Sequence, residues 1–437
     1  MKNVKNYKKT VHKKKHKSRY SFVERMAIRY DKVKNALTED IDNPKSSFSV
    51  LEVVMIIFIS IFFGIVIGYL ITYNRGSVHN RNGSRIGNVI ETYEKIVNDY
   101  YGKVDEDKLS EAAINGMIRS LGDPYSSYMS KEESLSFNEQ TDGTFVGIGV
   151  TIQFDGEYNK VIDVYEKGPA DKAGLIVDDV IIKVDGQDVK GLFGDNLSDL
   201  IRGKEGTDVK LTIKRGEEEL DFTVTRGTVE IISVNGRVIE SDDKKIGYLQ
   251  VTAISSNTYT QFKKELKNIE KENINSLIID LRNNLGGHLQ QTKDILSMFF
   301  PKKTVLYQIE TKGKTKKIYS DTKESRNYPV IVLINNETAS AAEIIAICFQ
   351  ERYKDAVIMG NTSYGKGTVQ KSESFSNGST IKFTTQKWLS SKGKWVNANG
   401  VVPDILVNLD EKYYETLSDE DDNQLQEAIK KLKESSN

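Results

Sequence analysis

The chain has 437 residues, long enough for two or three domains with separate cores, and its 38% hydrophobic and 28% charged residues are ordinary for a globular protein. Its 62 Lys and Arg balance its 62 Asp and Glu, yet residues 1–52 hold 14 basic against 6 acidic groups, leaving the rest acidic, 48 against 56. An acidic body argues against nucleic acid as the partner, because phosphate recognition needs a basic face, and the single cysteine, Cys348, rules out an intramolecular disulfide or a cysteine metal cluster.

In chain order, residues 1–52 read as a basic tail. The first 20 residues carry nine Lys and Arg and no acid, which by the positive-inside tendency keeps them cytoplasmic. Val53 to Tyr73 is a run of 21 residues without a charge, the length of one transmembrane helix, and it is longer than the apolar part of a cleaved signal peptide. Everything after Tyr73 is then expected outside the cytoplasm, at the surface of a cell membrane. Residues 74–84 are polar and rich in Gly, Asn and Ser, a linker. Residues 85–140 form an N-terminal helical region: Val89, Tyr93, Ile96, Val97, Leu109, Ala112, Met117 and Leu121 keep helical spacing until Gly122-Asp123-Pro124.

From 141 to 228 the pattern changes to short strands (GIGVTIQF, NKVIDVY, DVIIKVDG, DVKLTIKR, ELDFTVTR) interleaved with short helices at ADKAGL and NLSDLIRG. Residues 229–407 alternate apolar strands, SLIIDLR, PVIVLIN and AVIMGN, with helices LQQTKDILSMFF and SAAEIIAICFQ, which predicts βαβ units and a largely parallel sheet. Residues 408–437 are charged, with a helix over NQLQEAIKKLK.

In such a sheet, chemistry collects beyond the C-terminal ends of the strands. After SLIIDLR come Gly286 and Gly287, whose uncovered amides suit an oxyanion hole, although a glycine pair alone is also a turn. After PVIVLIN comes Ser340, which with Glu343 fits an S-x-x-E capping box, yet a serine between strand and helix is also placed as a nucleophile beside the Ala341 amide. After AVIMGN comes Lys366 between two glycines; as a base it must lose its charge near neutral pH, which demands a desolvated pocket. Gly360–Lys366 matches most of a phosphate-binding loop, but Gly367 stands where magnesium needs a hydroxyl and the following residues read as extended. Of the four histidines only His288 lies near these loops, and no metal-ligand motif is present, so neither a metal nor another cofactor is expected.

With the glycine pair, the serine and the lysine in view, the chain resembles the C-terminal (tail-specific) processing peptidases, a Ser-Lys protease family. The resemblance spans about residues 87–407 and the NQLQEAIKKL helix, through DPYSSYM, FVGIGV, GPADKAGL, VDG, IRGKEGT, IIDLRNNLGG, TASAAE, GKGTVQ and NGVVPDI in that order. It implies an α/β fold: a ClpP/crotonase-like protease core (229–407) with an inserted PDZ domain (141–228), the N-terminal helical region and one transmembrane helix. It further implies a serine endopeptidase with Ser340 as nucleophile, Lys366 as base, Gln370 holding the lysine, and Ala341 with Gly286 or Gly287 as the oxyanion hole. Gln370 lies four residues along a strand from Lys366, so the chain must bend for the two to touch. Val146, Gly147, Ile148 and Gly149 are similar to a PDZ carboxylate-binding loop, and Arg202 matches an arginine that couples substrate binding to activation. Partners implied are polypeptides with free C-termini, the membrane, and a second copy through the terminal helices. Leu285 departs from the proline usual before the glycine pair, and Ala342 from a common serine. The alternative outside the enzymes is a catalytically silent PDZ scaffold.

Overall fold

The structure, a computed structural model, describes residues 27, 29–32, 50–79, 85–242 and 244–434. Most of the basic tail and residues 80–84 of the linker lie outside the described residues. The chain forms two compact units, 1–109 and 110–437. In the first, helix Val50–His79 contains the uncharged run and continues through six residues read above as linker. The expected transmembrane helix is not found: among the described residues no helix is long and apolar enough to cross a membrane. Side chains of the run are described from Val54 to Tyr69, mostly exposed, and that stretch alone falls short of the roughly 20 apolar residues a bilayer requires. The helical region beyond it holds three helices, Arg85–Asp99, Glu106–Arg119 and Lys131–Asp142, the first two separated at 100–105 around Gly102 and the last preceded by a short strand, Ser127–Met129.

Residues 150–225 form a five-strand antiparallel sheet in the order Val150–Phe154, Asn159–Val164, Val180–Val184, Asp208–Arg215, Glu218–Thr225, with a short sixth strand, Gln187–Asp188, beside the third, while Thr144–Gly147 and Gly227–Glu230 pair separately on either side of it in the chain. Alternate residues such as Val209, Leu211 and Ile213 point inward, where they meet Leu175, Leu197 and Ile201. Helices Pro169–Ala173 and Asp195–Ile201 lie where the sequence placed them. Val150–Phe154 is an edge strand, and among the described residues no strand pairs with its outer side.

The region that follows is built on a six-strand sheet in the order Val234–Ser241, Lys244–Val251, Ser276–Asp280, Val330–Ile334, Ala356–Gly360, Ile405–Leu406, parallel except for the first strand. Its central strands are apolar throughout because both faces are covered. Leu277, Ile279, Val330, Val332 and Ile334 face helices Thr258–Glu270, Leu289–Ser297 and Ala341–Arg352, a core that also encloses Cys348. Ile278, Ile331, Leu333 and Met359 face the opposite way, onto Leu425, Ala428, Ile429 and Leu432 of the C-terminal helix Asn423–Glu434. A second, antiparallel sheet was not foreseen: Ser127–Met129, Thr380–Leu389, Val305–Thr311 and Lys314–Tyr319, with Thr368–Ser374 paired to the long strand. It places the DPYSSYM segment on one side of Thr380–Leu389 and the strand that follows Lys366 on the other.

Candidate active site

Three loops leave adjacent parallel strands at the same edge of the sheet and are laced together by their own polar groups. Asn283 and Asn335 exchange hydrogen bonds: the Asn283 amide donates to Asn335 Oδ1 (2.9 Å), and Asn335 Nδ2 donates to Asn283 Oδ1 (2.8 Å). The Thr338 hydroxyl donates to the Leu281 carbonyl (2.8 Å), the Ala339 amide to the Asn284 carbonyl (2.9 Å), and the Tyr364 amide to the Thr338 carbonyl (2.9 Å). Gly286 (φ 93°) approaches the serine segment so closely that an added Cβ would stand 2.6 Å from the Ala339 carbonyl oxygen and 2.8 Å from the Ala341 nitrogen.

Ser340 has φ 55° and ψ −117°, a conformation that L-residues rarely adopt, directly before helix Ala341–Arg352. The capping-box arrangement with Glu343 is kept, the Ser340 amide donating to Glu343 Oε2 (2.7 Å), but on a left-handed backbone. Glu343 is fully buried and gathers the lysine loop onto the serine. Its Oε2 also accepts the Lys366 amide (2.9 Å), and its Oε1 accepts the Gly365 amide (2.8 Å) and the Ser363 hydroxyl (2.5 Å). One carboxylate oxygen thus holds residues 340 and 366 side by side. From the other side two indoles pin the loop, Trp388 donating to the Lys366 carbonyl (2.7 Å) and Trp395 to that of Gly367 (3.0 Å).

The Lys366 side chain is half-buried, its amine 5.0 Å from the centre of the Tyr125 ring. Burial draws this amine below the ordinary lysine range and the charge of Lys382 adds to that, against Asp123 and Glu343, which favour the ammonium form. Burial, with a hydrogen bond to Tyr364, pushes the Tyr125 phenol up to about 12, so it stays neutral. Asp123 and Tyr125 belong to the DPYSSYM segment and are contributors that the sequence reading left without a role. Glu343, read there only as a capping residue, is the other.

Other residues are placed less simply. Gln370 follows a bulge in its strand, and its side chain donates to Thr368 Oγ1 and Thr384 Oγ1 (3.0 Å each), with no hydrogen bond to Lys366. The His288 ring meets the Thr141 carbonyl (3.1 Å), away from the serine. The two glycines differ. The Gly286 amide donates to Asn284 Oδ1 (2.8 Å). Ile254 bridges on either side of Gly287, to the Gly286 carbonyl and the His288 amide, so the Gly287 amide faces the other way. Among the described residues neither that amide nor the Ala341 amide has a partner.

In the 141–228 domain a groove of about 360 Å³ runs between edge strand Val150–Phe154 and helix Asp195–Ile201. Gly147, Ile148, Gly149 and Arg202 line it; Val146 does not, because its strand neighbours Phe145 and Gly147 face the groove and alternation points Val146 to the other side. Helix Lys131–Asp142 supplies a further wall, and its Glu139 pairs with Arg202 (3.1 Å) across the groove.

Residues 245–407 match peptidase family S41, 72–133 the N-terminal domain of the activating protease CtpB, and 160–215 a PDZ domain. The chain is 38% identical over 329 residues to the carboxy-terminal processing protease CtpA of Bacillus subtilis (strain 168), covering 75% of this chain and 70% of that protein. It is 34% identical over 396 residues to a probable CtpA-like serine protease of Staphylococcus epidermidis (strain ATCC 12228 / FDA PCI 1200), covering 86% and 79%. Among solved structures, the photosystem II D1 C-terminal processing protease is similar at 26% identity and a TM-score of 0.44, over 75% of this chain and 88% of that one.

Proposed function

The chain belongs to peptidase family S41, and from that premise we propose a membrane-anchored endopeptidase that takes substrates by their C-termini and cuts them with Ser340 and Lys366. The observation that carries this reading is the shared Glu343 oxygen, which accepts the amides of both residues and holds their backbones side by side. In the reaction, Ser340 Oγ attacks the peptide carbonyl and passes its proton to the neutral amine of Lys366. The oxyanion is held by the amides of Ala341 and Gly287, the two that lack internal partners. The Lys366 ammonium then protonates the leaving amine, and, neutral again, activates the water that releases the acyl group. Gln370, held by two threonines at rest, reaches the lysine only if the bulged strand shifts.

The groove accepts the substrate's last residues as a strand added to Val150–Phe154, with the carboxylate at the amides of the Gly147–Gly149 loop. The anchor is the uncharged run within helix Val50–His79, which puts the catalytic part outside the cytoplasm. Self-association falls to helix Arg85–Asp99, whose Ile86, Val89, Ile90 and Ile96 are exposed, because the C-terminal helix spends its apolar face on the core.

Full-length protein in detergent should hydrolyse a peptide with a free C-terminus, and Ser340→Ala should abolish this. Equal inertness of both on varied peptides would leave the silent scaffold as the better reading. Membrane fractionation with external protease digestion of intact cells tests the anchor and its orientation.

A further inference from the structure

The C-terminal helix covers one face of the main sheet, but the residues that begin it do something packing does not require. Asp422 and Gln424 are almost wholly buried and reach past the sheet to two of the loops that carry the site. Arg282, two residues beyond strand Ser276–Asp280, opens the glycine loop. Its guanidinium donates to both Asp422 oxygens (3.0 and 2.7 Å) and to Gln424 Oε1 (3.0 Å), while Asp280 holds its inner side (2.6 Å). Asp280 is in turn fixed by the Tyr248 hydroxyl (2.7 Å). The other end of the Gln424 amide donates to Asn361 Oδ1 (3.2 Å) and the Val407 carbonyl (2.7 Å). Asn361 is the first residue of the lysine loop, directly after strand Ala356–Gly360.

A single side chain, Gln424, therefore ties the root of the glycine loop to the root of the lysine loop. From Arg282 the path is short: the Asn283 amide is bound to Asn335, at the root of the serine loop, and Asn284 sets the turn that places Gly286 and Gly287. Two further contacts hold the brace down. Asp422 Oδ1 caps the C-terminal helix through the Leu425 amide (3.0 Å), and Asp419 pairs with Arg237 (2.5 Å), whose guanidinium lies 4.2 Å over the Tyr248 ring.

We propose that Asp422 and Gln424 are positioning residues: the start of the C-terminal helix is a brace that sets the glycine loop and the lysine loop in catalytic register. The proposal rests on the reading of Ser340, Lys366 and the glycine loop given above. A brace of this kind acts on the transition state more than on substrate binding, since small displacements of aligned groups cost rate steeply.

The test uses full-length protein in detergent, a fluorogenic peptide, and a peptide aldehyde, whose adduct with a serine is tetrahedral and carries an oxyanion. Asp422→Asn and Gln424→Ala should each lower kcat about tenfold or more with KM unchanged, and weaken the aldehyde by the same factor. Leu432→Ala, which thins the apolar face of the same helix, should lower the melting temperature and leave kcat of the folded protein as it is. Gln424→Ala leaves every charge in place, so it serves if Asp422→Asn does not fold. Wild-type kcat in the two polar variants, or an equal loss of kcat in Leu432→Ala, overturns the brace. Turnover surviving Ser340→Ala would instead sink the catalytic reading beneath it, so the two failures are distinct.

Discussion

Glu343→Gln is the sharpest perturbation the site offers, because it changes one atom of a buried group that serves four donors. Oε2 accepts the Ser340 and Lys366 amides, and Oε1 accepts the Gly365 amide and the Ser363 hydroxyl. A glutamine keeps one oxygen and puts an amino group where the other was, so in either orientation two donors lose their acceptor and face a third donor. At about 1.5–3 kcal/mol for each charge-assisted bond, the loss is about 3–6 kcal/mol, of the order of a 10 °C fall in melting temperature for a domain of this size. With the amino group at the Oε2 position residue 366 is no longer drawn onto residue 340, and with it at the Oε1 position Ser363 and Gly365 of the same loop are released, so kcat should fall by up to about a hundredfold. The chain's two tryptophans, Trp388 and Trp395, both donate to carbonyls of the lysine loop, and their fluorescence follows that loop during a thermal ramp. A variant whose fluorescence melt and kcat both match wild type would refute the idea that this carboxylate assembles the site.

The remaining predictions concern the base, the glycine loop and the groove. In the proposed mechanism Lys366 acts as the neutral amine, so kcat/KM should rise with pH through an ionisation below the ordinary lysine value. Lys382→Met removes a neighbouring positive charge and should move that rise to higher pH in a pH–rate profile. The depressed lysine also binds fewer protons folded than unfolded, so its burial should penalise stability at low pH and do so progressively less as pH climbs toward the ordinary lysine value, measurable by melts at several pH values. Gly286→Ala forces a Cβ against the Ala339 carbonyl at φ 93° and should reduce kcat about a hundredfold or more in steady-state assays. Arg202→Ala breaks an exposed pair with Glu139 worth at most about 1 kcal/mol, so melting should barely move, whereas KM should rise for peptides with a free C-terminus and not for amidated ones.

The parallel sheet was legible because SLIIDLR, PVIVLIN and AVIMGN are apolar without alternation, which only a strand buried on both faces tolerates. The same logic places reactive groups after each strand, and it is enough to bring Gly286, Ser340 and Lys366 to one edge. What stayed hidden depends on pairings far apart in the chain. Ser127–Met129 joins Thr380–Leu389 across more than half the molecule, so nothing local announces that Tyr125 will lie under Lys366. Glu343 was visible, but its capping signature accounted for it so well that its service to the lysine loop went unread. Gln370 shows the limit of counting along a strand: a bulge after Val369 turns the side chain to Thr368 and Thr384.

Cys348 lies at zero exposure inside the helix that follows Ser340, and burial holds its thiol well above the ordinary cysteine range. A thiol kept protonated and out of reach does not take up maleimides or nitroxide reagents. The native chain is consequently a ready background for site-directed labelling: cysteines introduced in pairs, one on helix Lys131–Asp142 and one on helix Asp195–Ile201, would report by spin–spin distance how the groove widens when a peptide enters, with no prior removal of the natural sulfur.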